Sequence, residues 1–185
     1  MKSAGYIINS RDGEQGERGF IYDYIFAEDG VYLRAENQFI GACIRIAEVQ
    51  IRGLRPRIGW SFNLKTGRIP RRIWEHVMET MMLVPDREVY MAIVWDGEYK
   101  TVMPEQQGSM AGVTYTPVKN AVVDIHSHGT MGAMFSGTDN NDEQGMRLYV
   151  VLGKLHAETE YVLRLGIYGY FQELEWWQVF SELHR

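Results

Sequence analysis

Short runs in which apolar and polar side chains alternate dominate the first sixty residues, with the period of two that sends successive side chains to opposite faces of a strand. They predict strands over residues 5–9, 20–27, 31–34 and 42–52. Glu28-Asp29-Gly30 turns the chain between the second and third, and the set reads as one meander. In the last run Cys43, Ala47, Val49 and Ile51 share one parity while Ile44 and Ile46 take the other, which requires two buried faces or a bulge near Ala47. Pro56, Gly59 and Gly67 then punctuate the chain. A boundary there separates a β-rich N-terminal extension, residues 1–66, from a second domain, residues 67–185.

After Pro70, which a first helical turn tolerates, the period lengthens. Ile73, Val77 and Met81, and beside them Trp74, Met78 and Met82, recur every fourth position and predict an amphipathic helix ended by Pro85 and Asp86. Residues 88–95 then read as a strand, Asp96-Gly97 as a two-residue hairpin turn, and 98–103 as the returning strand. A short strand over 113–116 and a central one over 121–128 follow. Thr138 or Asp139 caps a short helix running to about Met146, and residues 148–153 and 161–168 pair as a hairpin. The aromatic tail, 170–183, fits a strand followed by a helix. Mixed strands with helices before and after them predict an α/β fold, a mixed sheet flanked by helices, preceded by the β-rich extension.

Composition narrows the class. The 185 residues carry 45% hydrophobic side chains, enough for a core, and a single cysteine, Cys43, which rules out an internal disulfide framework. Cys43 has no neighbouring base in sequence and reads as a buried thiol. The absence of a basic-then-apolar leader, and of an apolar run long enough to span a bilayer, points to a soluble cytoplasmic protein with no membrane partner. A net charge of -5 disfavours a nucleic-acid-coating protein. Between Arg45 and Arg72, however, eight Lys and Arg stand against one acid, Glu48, so this segment is a candidate surface for an acidic protein or a phosphate backbone.

The chemistry concentrates in fourteen residues, His126-x-His128-x(7)-Ser136-x-x-Asp139. Residues i and i+2 of a strand point to one face, so His126 and His128 project side by side while Ser127 turns away. Val122, Val123 and Ile125 anchor that strand, and Gly129, Gly132 and Gly137 let the following loop fold back to bring the Asp139 carboxylate to the same ion. Three protein ligands with one vertex left for water describe a catalytic rather than a structural zinc site. Hydrolysis also needs a carboxylate near the ion but not on it, for which Glu88 is the candidate, and Ser136 can donate its hydroxyl to a developing oxyanion. Asp124 shares the parity of the two histidines and either accepts from an imidazole N–H or simply lines the face. His76 lies on the polar side of its helix and belongs to no zincin motif.

Glu88, His126-x-His128, Ser136 and Asp139, in that order and with a helix ahead of the Glu, resemble the JAMM motif of the MPN/JAB-domain metallopeptidases, over about residues 70–168. The resemblance implies a JAB/MPN-like, cytidine-deaminase-like fold, Zn2+ on His126, His128 and Asp139, Glu88 as acid/base and Ser136 as oxyanion support. It further implies cleavage of a peptide or isopeptide bond at the C-terminal tail of a ubiquitin-like protein. The β-rich extension looks like that of prokaryotic JAB proteins, among them the plasmid-associated PRTRC group. Two positions depart from the family pattern: Gly129 stands where Pro commonly follows the second His, and Met91 where Gly commonly stands three residues after the Glu. The first loosens a loop and the second puts bulk beside the strand. The lack of a long insertion after the Asp139 helix argues against specialisation for polyubiquitin. Two other readings stand beside this one. The first is a non-catalytic MPN-type scaffold that binds protein or nucleic acid through its basic segment or aromatic tail. The second is a zinc hydrolase of a small amide or nucleotide-like substrate.

Overall fold

The structure is a computed structural model and describes residues 2–57, 59–109 and 112–182. The chain divides into two compact units, Met1–Lys65 and Thr66–Arg185.

The first unit is a six-stranded sheet of β1 (Ala4–Ser10), β2 (Gly13–Gln15), β3 (Tyr22–Ala27), β4 (Gly30–Glu36), β5 (Ile40–Ala47) and β6 (Ser61–Leu64), in the order β2-β1-β3-β4-β5-β6. From β3 onward it is the predicted meander, but β1 pairs with β3 in parallel, so the whole extension is not one. The chain reverses through β2 and returns beneath β1, where Phe20 and Ile21 donate to the carbonyls of Lys2 and Ser3. Glycine makes this crossing possible, because a Cβ on Gly5 or Gly19 would collide with the other's backbone nitrogen. The parity conflict in β5 resolves as a bulge: Val31 pairs with Ala47 but Tyr32 with Arg45, which leaves Ile46 unpaired. The strand ends there, so Val49 and Ile51 lie outside it.

Cys43 is buried, and burial pushes its thiol pKa up, the wrong direction for a nucleophile. Much of the basic run is neutralised locally. Within this unit Arg57 pairs with Glu14 at 2.8 Å, Lys65 with Glu36 at 3.0 Å and Arg45 with Glu48 at 3.5 Å.

The second unit begins with α1 (Arg71–Met82), entered through Pro70 as the spacing predicts. Val77 and Met81 are its buried residues, whereas Met82 is 43% exposed, so the second apolar row lies at the edge of the buried face. Trp74 of that row packs on Trp176, Phe180 and Tyr161, with ring centroids 4.7, 5.2 and 5.8 Å away. The strands β7 (Tyr90–Trp95) and β8 (Tyr99–Val102) form the predicted hairpin, and β9 (Gln106–Ser109) and β10 (Gly112–Tyr115) form a separate two-stranded sheet. Then come β11 (Ala121–Ser127), α2 (Gly137–Asp142), β12 (Met146–Gly153), β13 (Glu160–Ile167), β14 (Tyr170–Glu173) and α3 (Trp176–Val179). The tail is thus a strand and then a helix, and its last predicted residue, 183, lies outside the described residues.

The main sheet runs β14-β13-β12-β11-β7-β8. Only β11 and β12 are parallel in it, and α2 lies on the connection between them, as a parallel pair requires a crossover. With Val122, Val123 and Ile125 all fully buried, β11 is a rigid central strand whose C-terminal end delivers the two histidines. The unit is a mixed α/β arrangement, richer in strand than in helix. No helix among the described residues is long and apolar enough to cross a membrane.

Candidate metal centre

His126 points from β11 toward Asp139 at the start of α2, and His128 follows in the loop just beyond the strand. The strand itself stops at Ser127, one residue short of the predicted end. His128 is nonetheless held in place, because its N–H donates to the Leu152 carbonyl of β12 at 2.7 Å. The loop that follows is tied to the end of β12, where Leu155 donates to Gly129 and Lys154 to Met131, at 3.0 and 2.7 Å. Gly129 has φ +56, and a Cβ there would sit 2.7 Å from the Pro85 carbonyl oxygen, so proline in its place is excluded on both counts.

The imidazole Nε2 atoms lie 3.2 Å apart, and Asp139 Oδ1 lies 3.3 Å from His126 Nε2. One donor atom from each of the three residues falls within 4.8 Å of the others. Ligands about 2.0–2.1 Å from one ion at tetrahedral angles stand about 3.3 Å from each other, so both separations from His126 Nε2 match those of a zinc site.

Asp139 is aimed by its own helix. Ser136 is the N-cap of α2, with its Oγ accepting from the Asp139 N–H at 3.2 Å and its N–H donating to Asp139 Oδ2 at 2.6 Å. This reciprocal capping box occupies Oδ2 and leaves Oδ1 facing the histidines. The cap is therefore Ser136 rather than Thr138 or Asp139, because only a residue three positions ahead of Asp139 can close the box. The helix ends at Asp142, short of Met146, which already belongs to β12. The Ser136 hydroxyl uses a lone pair in the cap and keeps its proton to donate.

Burial drives the His126 pKa from 6.5 down to about 4, with Asp139 opposing the fall and His128 and Arg164 adding to it. The ring is therefore neutral at pH 7, the state a metal ligand needs. For a histidine titrating lower when folded, the unfolded chain takes up a proton below pH 6.5 while the folded one does not. Stability is consequently lost as pH falls from 6.5 to about 4, and no further below that. This is worth on the order of 3 kcal/mol. Urea unfolding of chelator-treated protein at about pH 7 and about pH 4 is expected to show that loss in the wild type and not in His126→Gln. An equal loss in both would remove His126 as its source.

Glu88 lies two residues before β7, outside the strand predicted to contain it. Its backbone is fixed by other means. Its N–H donates to the Ser109 carbonyl of β9 at 2.8 Å, and its carbonyl lies so close over Gly108 that a Cβ there would collide with it. The next residue, Val89, exchanges bonds with Ser127 through N–H to Oγ at 3.1 Å and carbonyl to N–H at 2.9 Å. The Glu88 side chain is 8% exposed and opens on the cavity that holds the histidines. Burial raises its pKa, His128 pulls it back and Asp139 pushes it further up.

The cavity, about 710 Å³, contains Glu88, His126, His128, Ser136 and Asp139 and runs on past Tyr115 to Arg147. Tyr115 of β10 stacks on Tyr90 with centroids 3.6 Å apart. Asp124 does share the histidine face, but its oxygens are engaged by the Tyr90 hydroxyl at 2.6 Å and by Arg147 at 2.8 Å, so it lines the cavity as part of that network. Met91 lies on the opposite face of β7 from Tyr90, buried away from the cavity, so its bulk does not narrow access.

Several supporting residues escaped the sequence reading. Gln106 bonds both the N–H and the carbonyl of Tyr90, at 2.7 and 3.0 Å, and extends the ladder on the β8 side of β7 beyond the Ala92–Val102 pair. Ser127, which strand parity turns away from the histidines, fixes the residue after Glu88 through its buried hydroxyl. Arg164, in the otherwise apolar stretch 161–168, joins Glu143 at the end of α2. A lone charge in an apolar strand was its available signal.

A family model described as prokaryotic homologs of the JAB domain matches residues 71–165. It spans α1 through nearly all of β13, and so takes in every residue of the centre. The match is to the family as a whole and distinguishes no group within it. Comparison with curated proteins gives no match. With more than half of its residues aligned to that model, the chain belongs to the prokaryotic JAB domain family.

Proposed function

We propose that the protein is a zinc-dependent metallopeptidase that hydrolyses a peptide or isopeptide bond at the C-terminal tail of a ubiquitin-like protein. The observation that carries this reading is the convergence of two imidazole nitrogens 3.2 Å apart and one carboxylate oxygen 3.3 Å from that of His126, in the same cavity as a buried carboxylate that is not one of the three. The donor set fits zinc: His126 is held neutral by burial, and Asp139 has one oxygen secured by the cap and the other directed to the site.

Zinc bound there supplies Lewis acidity, bringing the pKa of a water down to about 7 and polarising a carbonyl oxygen. Glu88 accepts the proton of the attacking water and hands it to the leaving amine as the carbon–nitrogen bond breaks. A carboxyl raised above its usual range suits both halves of that exchange. The Ser136 hydroxyl donates to the carbonyl oxygen as charge builds on it. An extended tail has a natural berth along β10, the edge of its two-stranded sheet, which contributes Gly112, Val113 and Tyr115 to the cavity.

The scaffold reading leans on the basic segment, and the ion pairs work against it. Arg45, Arg57, Lys65 and Arg71 each have a carboxylate partner within their own unit. The test is mass spectrometry of ubiquitin-like proteins carrying C-terminal extensions, before and after incubation with zinc-loaded protein. Scission at the end of the ubiquitin-like fold is the expected result. Zinc-loaded protein that leaves every such fusion intact, while retaining a protein partner, would favour the scaffold.

A further inference from the structure

Arg164 is 6% exposed, a charged residue in the buried half of β13. Its guanidinium lies between two aromatic rings, 3.6 Å from the centroid of Phe135 and 3.7 Å from that of Phe171. Nε and Nη2 donate to Glu143 Oε2 at 2.9 and 2.6 Å, and Nη1 donates to Asn140 Oδ1 at 2.7 Å. These partners are not scattered. Phe135 precedes the Ser136 cap, Asn140 follows Asp139, and Glu143 is the C-cap that follows the last residue of α2. One side chain therefore grips the entry, the middle and the exit of the helix that carries Asp139.

That helix needs a grip. Its six residues fall well short of the roughly 12–15 at which an isolated helix becomes even marginally stable in water. None of the six is buried, so apolar packing does not hold it either. Lysine would not substitute, because it lacks the planar fork that reaches two acceptors and fills the gap between two rings.

We propose that Arg164 is a positioning residue for the metal centre: by clamping α2 it sets where Asp139 Oδ1 stands relative to the two histidines, and thereby sets metal affinity. The inference rests on the zinc reading above. A buried ion pair serving only the fold would lower stability when broken and leave the affinity of the folded protein unchanged.

Arg164→Lys, Arg164→Met and Asn140→Ala are compared with the wild type at a temperature where circular dichroism shows each folded. Zinc affinity is measured by competition with a chromogenic chelator, and the geometry by the visible spectrum of the cobalt-substituted protein. Both Arg164 variants are expected to bind zinc roughly 10- to 100-fold more weakly, the usual cost of losing an outer support of a ligand, and to show an altered cobalt spectrum. Asn140→Ala, exposed and leaving the Arg164–Glu143 pair intact, carries the test if Arg164→Met does not fold, and about tenfold weakening is expected of it. Variants that melt earlier yet keep wild-type affinity and spectrum would overturn the clamp and leave the zinc reading standing. A wild-type protein that binds neither metal would overturn both.

Discussion

Glu88→Gln is expected to lower kcat/KM by about 10²- to 10⁴-fold while zinc stays bound at wild-type stoichiometry. The two halves of this outcome have separate causes. The donor atoms that converge are those of His126, His128 and Asp139, and Glu88 is not one of that group, so on the proposed reading its loss removes no ligand. Its carboxylate is instead a buried group lining the same cavity as the three, proposed above as the base, and an amide of the same shape cannot take up a proton. The fold should tolerate the change, because Glu88 is held through its backbone by Ser109 and by the bonds of Val89 to Ser127, not through its side chain. Gln is also neutral, so the cost of burying a charge beside Asp139 disappears, and a melting temperature equal to or above that of the wild type is expected. Metal analysis and steady-state kinetics on the same preparations decide the matter. Undiminished cleavage by the Gln variant would take Glu88 out of the chemistry, and loss of zinc would make it a ligand instead.

What could be read in the chain differs with the range of the interactions involved. The α1 spacing, the apolar β11 and the hairpins of the main sheet follow from local period and turn residues, and all are present. The grouping of His126, His128 and Asp139 was legible for a similar reason: strand parity aligns the first two, and a glycine-rich loop with a cap residue brings back the third. Parallel pairing of β1 with β3 was not legible, since it depends on two glycines, Gly5 and Gly19, far apart in sequence, whose backbones abut. Nor was β9, whose residues Gln106–Ser109 show no apolar alternation. Its strand character comes from the antiparallel ladder with β10, and the Glu88 N–H and the Tyr90 backbone bond to it only once the chain has folded. The Arg164 clamp belongs to the same class. Its partners come from α2 and its flanks and from the aromatic residues around it, and the local hint is one charge within the otherwise apolar stretch 161–168.

Asp139→Asn is expected to abolish zinc binding under conditions that load the wild type with about one ion per chain. Asparagine is the informative replacement because its side-chain carbonyl can still accept the Ser136 N–H, so the capping box and the start of α2 survive. Alanine would also remove the cap partner and cost about 1 kcal/mol of stability, mixing two effects. What asparagine lacks is the anionic oxygen beside His126 Nε2, leaving two imidazoles that bind a divalent cation far less tightly than three donors do. The loss should exceed the 10- to 100-fold typical of an outer support. It is read without any substrate. Zinc at a thousand times its dissociation constant should raise wild-type unfolding free energy by about 4 kcal/mol, and Asp139→Asn should gain nothing from the same addition. Equal stabilisation of both proteins would mean that the ion binds elsewhere, and would remove Asp139 from the centre whatever the activity measurements showed.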